Sequence, residues 1–307
     1  MQSEYKRIAI IDLGSNSACL SIMEYTEDDY SLILQIKRKV KLAEGMNISN
    51  QISDKALSRA IEVIADYKMQ IEAKECHKII FVATEAMRRA ENTHFVQQTI
   101  FNITGLKPNV ISAAQEAYYA YKGVINTTDK QDFLLIDTGG ASTEIILVRD
   151  SKIAELKSIA FGSLLLSERF CSEGNITIGQ FFRMTELIEE QLSRIDWIEK
   201  AENIPIIGIG GSNRTIARIY KMQIKDFAPA RNVIVPSRSL NTIYCELLES
   251  DVKKRKKILG EGSASREDTI IAGCAPIVFL RRYLMSDEIM ISQSGLREGV
   301  FFAAIGK

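Results

Sequence analysis

The chain alternates short apolar runs with longer amphipathic segments. The apolar runs at residues 78–84 and 204–209 have the length of strands buried in a covered sheet. Apolar residues recur near helical spacing over 53–75, which predicts a helix there. Further helices are predicted over 84–101, 115–123, 179–195 and 241–259. Strands that alternate with helices indicate an α/β fold with partly parallel sheets.

One segment of the chain repeats. Residues 8–22 align without a gap with residues 133–147, at an offset of 125 positions. Each copy is an apolar run, a polar turn containing glycine, and a second apolar run, which predicts a β-hairpin. The copies share three polar or glycine positions: Asp12 with Asp137, Gly14 with Gly139, and Ser17 with Ser142.

An offset near half the chain length indicates two similarly folded halves, because a solenoid would repeat about every 20–50 residues. We therefore predict an α/β protein of two duplicated domains, in which mixed sheets are flanked by helices. The domains are predicted at residues 1–125 and 126–307, with the polar stretch 126–132 as the linker between them.

Composition narrows the functional classes. The 307 residues are 46% hydrophobic and 25% charged, as in ordinary globular proteins. Lys+Arg and Asp+Glu both total 39, which argues against coating of nucleic acid or membrane but allows one polyanion in a local cleft. The five cysteines form no CxxC pair, and residues 1–7 carry no apolar signal region, so we expect a cytoplasmic protein without a zinc ribbon.

Three glycine-containing turns, at 12–17, 137–143 and 208–212, each follow an apolar strand. Glycine lets main-chain amides approach a ligand closely, and a row of such amides binds anions. A single turn of this kind usually only reverses the chain, but two that repeat in register, each with a carboxylate, favour anion binding. The candidate binding residues are Asp12, Gly14, Ser15, Asn16, Ser17, Gly139, Gly140, Ala141, Ser142, Thr143, Gly210, Gly211 and Ser212.

Longer motifs carry a resemblance. Residues 84–92 are similar to T-x-A-L-R-x-A-x-N, residues 111–117 to I-S-G-x-E-E-A, and residues 137–144 to D-x-G-G-G-S-T-E. These patterns resemble the exopolyphosphatase/guanosine pentaphosphate phosphatase family of the actin-like ATPase superfold. Matching motifs continue in order at 39–45, 161–163, 210–212, 266–268 and 295–299. The resemblance implies two actin-like (ribonuclease H-like) domains with a cleft between them.

The resemblance also implies roles for single residues. Glu116 would be the catalytic base or the group that orients water, and Arg88, rather than its neighbour Arg89, would clamp phosphate oxygens bidentately. Asp137 and Glu144 would act in catalysis by holding Mg²⁺, the implied cofactor. Asp12 would hold the first turn or position a water molecule, and Thr84 would contact phosphate.

The chain departs from the family pattern at three positions. Ala113 stands in place of Gly, Gln115 in place of the first Glu, and Ala141 in place of the third Gly. Ala141 matters most, because a Cβ restricts both φ and close backbone approach. The substitution is compatible with binding where the backbone has a negative φ.

Three functions are consistent with these residues. The first is hydrolysis of the terminal phosphoanhydride of inorganic polyphosphate, with guanosine pentaphosphate as the second substrate class. The others are an actin-fold ATP-dependent kinase and a non-catalytic sensor of guanosine tetraphosphate or polyphosphate. The predicted partners are thus polyphosphate or guanosine penta- or tetraphosphate, not nucleic acid or membrane, and the reading leaves room for a homodimer.

Overall fold

A computed structural model describes residues 5–27, 29–260 and 266–307, and the expectation about residues 1–7 falls partly outside them. The chain divides into two compact units. Unit 1 runs to Gly123 and includes Leu296–Lys307, and unit 2 comprises Val124–Gly295. The first boundary lies beside the predicted linker at 126–132.

Unit 1 is built on a five-stranded mixed sheet with the order β3-β2-β1-β4-β5. Strands β1, β2 and β3 are antiparallel neighbours, and β4 and β5 continue the sheet in parallel with β1. The strands are β1 (Lys6–Leu13), β2 (Ser17–Tyr25), β3 (Tyr30–Lys39), β4 (Lys78–Ala83) and β5 (Asn109–Val110). The helices are α1 (Met46–Ser49), α2 (Asp54–Ala73), α3 (Glu85–Arg89), α4 (Thr93–Thr104), α5 (Ala113–Ile125) and α12 (Leu296–Ala304).

Unit 2 has a six-stranded sheet with the order β10-β11-β9-β6-β7-β8. Its strands are β6 (Phe133–Thr138), β7 (Thr143–Arg149), β8 (Lys152–Ile159), β9 (Ile206–Ile209), β10 (Asn232–Pro236) and β11 (Glu288–Ser292). Its helices are α6 (Ser163–Phe170), α7 (Ile178–Ser193), α8 (Gly211–Gln223), α9 (Ser237–Leu248), α10 (Val252–Leu259) and α11 (Ile270–Tyr283), with a 3₁₀ turn at Ile198–Ala201.

The two sheets share one topology. In each, three consecutive antiparallel strands are followed by two further strands that lie parallel to the first. Unit 2 adds β10, antiparallel to β11, at the edge. The predicted fold class, two duplicated α/β halves with mixed sheets, is confirmed.

Single elements were predicted with unequal success. The helix expected over 53–75 is present as α2, and the Ser53 hydroxyl caps it by accepting from Ala56 N. The single helix expected over 241–259 was wrong: α9 ends at Leu248, and Asp251 starts α10 by accepting from Lys254 N at 2.7 Å. An Asp that can cap a new first turn outweighs continued helical spacing.

Arg255 is the exception within the basic run at 253–257, whose four lysines are exposed. Its side chain is fully buried and donates to Gly174 O at 2.7 Å and to Asn175 Oδ1 at 2.9 Å. Burial lowers the pKa of Arg255. One residue of a run that the sequence places on the solvated surface therefore holds α10 against the loop between α6 and α7.

The C-terminal helix α12 belongs to unit 1 and not to the domain predicted at 126–307. Its apolar side chains Val300, Phe301 and Phe302 are buried in one cluster with Ile8 and Ile10 of β1. Burial of each of these large side chains stabilises the position of α12 on the unit 1 sheet by at least about 1.5 kcal/mol. This gain explains why the end of the chain returns to its first sheet.

Helix α12 touches α5 at backbone distance. A Cβ placed on Gly299 would lie 1.7 Å from Tyr119 O and 2.9 Å from Gly123 N, both in α5. Real Cβ atoms do not come this close to backbone, so only glycine permits the crossing.

We predict that Gly299→Ala lowers the free energy of unfolding by about 3 kcal/mol, because backbone cannot yield as a side chain would. Urea unfolding followed by circular dichroism would measure the change. Gly179→Ala, at a helical glycine where an added Cβ would lie 3.7 Å from Arg183 Nη1, is the matched control. That control should be stabilised by up to about 1 kcal/mol, and equal effects of the two variants would contradict the account.

Candidate active site

The two repeated hairpins close in the same way. Gly14 N donates to Ser17 O at 3.1 Å, and Gly139 N donates to Ser142 O at 2.9 Å. The register is also shared, since Asp12 pairs with Cys19 and Asp137 with Glu144. The repeat recognised in the sequence is therefore a repeat of local geometry.

Glycine is needed in these turns for space. Neither Gly14 nor Gly139 has a left-handed φ, but a Cβ would come within 3.3 Å of Ser17 O and 3.2 Å of Ser142 O respectively. Ala141 is buried and is not among the residues with positive φ. The turn therefore accommodates a methyl group where the family pattern has its third glycine.

The first turn is held by its carbonyl groups. Ser15 O accepts from Ala43 N, and Asn16 O accepts from Val40 N and Lys41 N. These bonds use main-chain oxygens of the turn and leave the Asn16 side chain out of them. In the described part of the chain, Asn16 Oδ1 is buried without a hydrogen-bond partner, and so is Thr138 Oγ1 beside the second turn. Buried polar atoms of this kind usually have a partner, such as water or a ligand.

Asp137 and Glu144 stand side by side on one face of the unit 2 sheet. They pair in register on β6 and β7, which brings Cβ atoms to about 5 Å. Glu144 is 1% exposed and accepts from the Ser158 hydroxyl at 2.9 Å. Unit 1 has no equivalent pair, because Cys19 occupies the position of Glu144 and burial raises the pKa of its thiol.

The third turn lies against the second. A Cβ on Gly210 would lie 2.8 Å from Asp137 Oδ1 and 2.9 Å from Thr138 O, and Gly210 has a φ of +91°. This position requires glycine for both conformation and space. The structure thus brings the predicted residues Asp137 and Gly210 together within unit 2.

Helix α6 packs against the second turn and donates hydrogen bonds to it, a contact that the sequence did not predict. Ser163 N donates to Gly139 O at 2.9 Å, and Leu164 N donates to Gly140 O at 2.8 Å. A Cβ on Gly162 would lie 2.7 Å from three backbone atoms of residues 139–141. The motif at 161–163 was the available signal, but nothing in its pattern shows what it contacts.

Positive charge collects beside the third turn. The Arg266 guanidinium lies over Gly211, so close that a Cβ there would require it to shift. Burial lowers the pKa of Arg266, and the nearby positive charge of Arg214 lowers it further. Cations that crowd together in this way favour an anionic ligand. In the sequence, Arg266 stood out only as part of the motif at 266–268.

Ser212 and Thr143, two other predicted residues, serve the packing of these turns. Ser212 is buried, and a Cβ on Gly273 of α11 would lie 2.1 Å from its Oγ. The Thr143 hydroxyl donates to Phe161 O at 2.9 Å. Their hydroxyl groups therefore meet protein neighbours.

In unit 1, the predicted site residues Arg88 and Glu116 form an ion pair, a contact that the sequence did not predict. Arg88 Nη1 lies 2.6 Å from Glu116 Oε2 and also donates to Ile111 O at 3.0 Å. The side chains are only 15% and 11% exposed. Burial would lower the pKa of Arg88, but the negative charge of Glu116 and the hydrogen bonds that Arg88 donates to Glu116 and Glu85 outweigh burial and raise this pKa.

The expected bidentate grip of Arg88 on phosphate does not fit this arrangement. Its Nε and Nη2 both donate to Glu85 Oε2, at 2.9 and 2.7 Å. A guanidinium has five N–H groups, and four of them are engaged. Arg88 therefore faces Glu116, and among the described residues one of its N–H groups has no protein acceptor and is available to a ligand.

Asp12 forms an ion pair that the sequence did not reveal. Arg297 Nη1 of α12 lies 3.6 Å from Asp12 Oδ2, and both side chains are largely buried. Thr84 is buried next to the same hairpin, where its N–H donates to Leu13 O at 3.3 Å. The end of β1 and the end of β4 thus meet at Asp12 and Thr84.

The departures at 113 and 115 lie at the start of α5. Ser112 Oγ accepts from Gln115 N at 3.1 Å, and Gln115 Oε1 accepts from Ser112 N at 3.0 Å. This is a capping box, in which Gln replaces Glu without loss. Ala113 is the first helical residue, and Gln115 is exposed, so neither change touches the Glu116 carboxylate's bond with Arg88.

No group of three or more His, Cys, Asp or Glu side chains able to hold a metal occurs among the described residues. The neighbouring carboxyl groups of Asp137 and Glu144 are a sparser set. Mg²⁺ is commonly held by one or two carboxylates together with phosphate oxygens and water, so these two side chains fit that ion. The prediction that Gly14 and Gly139 face one another stays a prediction.

The topology and the paired hairpins define an actin-like fold of two duplicated units. A crystal structure of an exopolyphosphatase from Cytophaga hutchinsonii has this fold, with a TM-score of 0.91, 22% identity and coverage of 98% of both chains. The sequence pattern of the Ppx/GppA phosphatase family matches residues 21–307. The chain belongs to the Ppx/GppA phosphatase family.

This chain matches different shares of two curated relatives. A guanosine-5'-triphosphate,3'-diphosphate pyrophosphatase from Photobacterium profundum is 30% identical, and the match covers 97% of this chain but 59% of that protein. A Haemophilus influenzae protein, whose name proposes an exopolyphosphatase, is 25% identical over 97% of this chain and 91% of its own length. Against several curated relatives the chain spans about half of their length, 45% in one case.

Within the described ranges, no helix has both the length and the apolar character needed to cross a membrane.

We predict that Gly162→Ala weakens binding of inorganic pyrophosphate about tenfold, the cost of losing one charge-assisted hydrogen bond from a displaced turn. The added methyl would push on the backbone of residues 139–141. Isothermal titration calorimetry would measure the affinity.

The matched control for this prediction is Ala141→Gly, in the same turn. It removes a methyl that the turn already accommodates, so its pyrophosphate affinity should stay close to that of the unaltered protein. A tighter complex in Ala141→Gly together with an unchanged one in Gly162→Ala would contradict this view of the turn.

Proposed function

We propose that the chain is a Mg²⁺-dependent phosphohydrolase that releases orthophosphate from the end of inorganic polyphosphate. The 5' triphosphate of guanosine pentaphosphate is the second substrate class. The observation that carries the proposal is the ion pair of Arg88 with Glu116 at 2.6 Å. It holds a carboxylate in a defined direction at a nearly buried position, which is what a base or water-orienting group needs.

Cleavage of a phosphoanhydride depends mainly on positioning the phosphoryl group, stabilising its charge and orienting a water molecule. Main-chain amides of the glycine turns would supply hydrogen bonds to phosphate oxygens. The remaining N–H of Arg88 and the positive charge at Arg266 would add to the attraction for the anion.

Glu116 would accept the proton of the attacking water through its carboxylate. Arg88 holds this side chain through a hydrogen bond, and the capping box of Ser112 and Gln115 fixes the start of the helix that carries it. Ion pairing with Arg88 favours the ionised carboxylate, the form that accepts a proton. The water oxygen bonds to the terminal phosphorus as the bridging P–O bond breaks, and the bridging oxygen departs with the bonding electrons on the shortened chain. Glu116 would then release the proton to solvent and return to its ionised form.

Asp137 and Glu144 would hold Mg²⁺. The ion, when bound, neutralises negative charge on the phosphoryl oxygens. The Ser158 hydroxyl that donates to Glu144 would keep that carboxyl group oriented.

Two departures from the family pattern that favoured a non-catalytic sensor, Gln115 and Ala141, are compatible with an intact site. Gln115 acts as a helix cap, and Ala141 fits its turn.

A phosphate-release assay on polyphosphates of graded length and on guanosine pentaphosphate, with and without Mg²⁺, tests the proposal. Guanosine tetraphosphate binding without any hydrolysis would select the sensor, and ATP-dependent transfer to an added acceptor would select a kinase.

We predict that Glu116→Gln lowers turnover by about 10²–10⁴-fold, because the amide cannot accept the proton, while substrate binding is retained. Steady-state kinetics and equilibrium binding would separate the two effects. Near-normal turnover would remove Glu116 from the mechanism.

Gln115→Glu is the control for this substitution. It keeps the capping box and places a carboxylate at the neighbouring exposed position, so turnover should remain close to that of the unaltered protein. A gain of orders of magnitude in this variant would instead locate the base at position 115.

A further inference from the structure

Glu85 has no role in the function proposed above, yet it lies in the same cluster as Arg88 and Glu116. It is the first residue of α3, and Arg88 follows three positions later on the same helical face. Its side chain is 14% exposed, close to the 15% of Arg88. A carboxylate that is mostly withdrawn from water and contacts a site arginine calls for an explanation.

The bonds of Arg88 fall on two edges of the guanidinium. The Nε and Nη2 edge is taken by Glu85 Oε2, and Nη1 is taken by Glu116 and Ile111 O. Glu116 and Glu85 are the charged groups that act on this guanidinium. The cluster therefore joins two carboxylates to one cation, and Glu85 determines which edge of the cation remains for Glu116.

Phosphate would compete with Glu85 for the Nε and Nη2 edge of Arg88. The Nε and Nη2 hydrogens point in parallel and match two oxygens of a phosphate, which is the bidentate geometry that arginine prefers. A dianionic phosphate that took this edge would turn the guanidinium away from Glu116. The carboxylate of Glu85 already occupies it and opposes the phosphate charge.

We propose that Glu85 is a positioning residue that keeps phosphate off the Nε and Nη2 edge of Arg88, so that Arg88 stays bound to Glu116 during turnover. The inference rests on the proposed function, in which Glu116 directs the attacking water. It also explains why Arg88 has a single N–H for the ligand: a weaker hold on phosphate allows the product to leave.

Glu85→Ala should then lower both kcat and KM for polyphosphate and strengthen inhibition by orthophosphate, each about tenfold, the value of one charge-assisted hydrogen bond. A merely structural role would lower stability or raise KM and would not strengthen product inhibition. Glu85→Gln retains the side-chain volume and should change these values in the same direction, which keeps the test available if the alanine variant folds poorly.

A double-mutant cycle tests whether Glu85 acts through Glu116. Adding Glu85→Ala to Glu116→Gln should cause no further loss of kcat, because the group being positioned is already disabled. Glu91→Ala, at an exposed glutamate just after α3, is the matched control and should leave kcat, KM and orthophosphate inhibition unchanged.

The outcomes separate the two proposals. An unaltered protein that hydrolyses no phosphoanhydride would overturn the proposed function, but calorimetry of orthophosphate binding would still test Glu85, since Glu85→Ala should bind orthophosphate more tightly. An active protein in which both Glu85 variants keep normal kcat, KM and orthophosphate inhibition would overturn the role of Glu85 alone. Full additivity in the cycle would also overturn it.

Discussion

The contact of helix α12 with helix α5 at Gly299 is the constraint on which the unit 1 site depends. Helix α5 carries Glu116, and α12 carries Arg297, which pairs with Asp12 at the end of β1. One backbone crossing therefore sets the spacing between the first hairpin turn and the carboxylate that would direct water. A methyl group at the crossing would push apart α5 and α12, and with them Glu116 and the Asp12–Arg297 pair, which are neither adjacent in sequence nor paired in the sheet.

A second constraint is the fixed number of donors on Arg88. Because a guanidinium has five N–H groups in one plane, every partner it gains removes a contact from another. Here the main-chain oxygen of Ile111 and two carboxylates take four of them. The arginine consequently holds the Glu116 carboxylate in place, and in the proposed function phosphate would be bound mainly by main-chain amides.

The sequence was sufficient where the information is local or repeated. The duplicated hairpin and the fold class follow from spacing and motifs, which also favoured Arg88 over Arg89, although as a phosphate clamp and not as the partner of Glu116. Contacts between residues distant in sequence were not predictable: Arg297 with Asp12, Arg266 over Gly211, and Gly162 under the second turn. Helix α11 was missed for a different reason, since it is buried over most of its length and so lacks the amphipathic period that marks a helix.

The duplicated hairpins have diverged in charge, which assigns them different tasks. In unit 1, Asp12 is paired with Arg297 and its register partner is Cys19, whose raised pKa keeps the thiol neutral. In unit 2, Asp137 has a second carboxyl group, Glu144, as its register partner. Two neighbouring carboxyl groups attract a cation, whereas a carboxylate matched by arginine does not. Under the proposed function, the same backbone turn would offer amides to an anion in both units, while only the second would also offer carboxylate ligands to Mg²⁺.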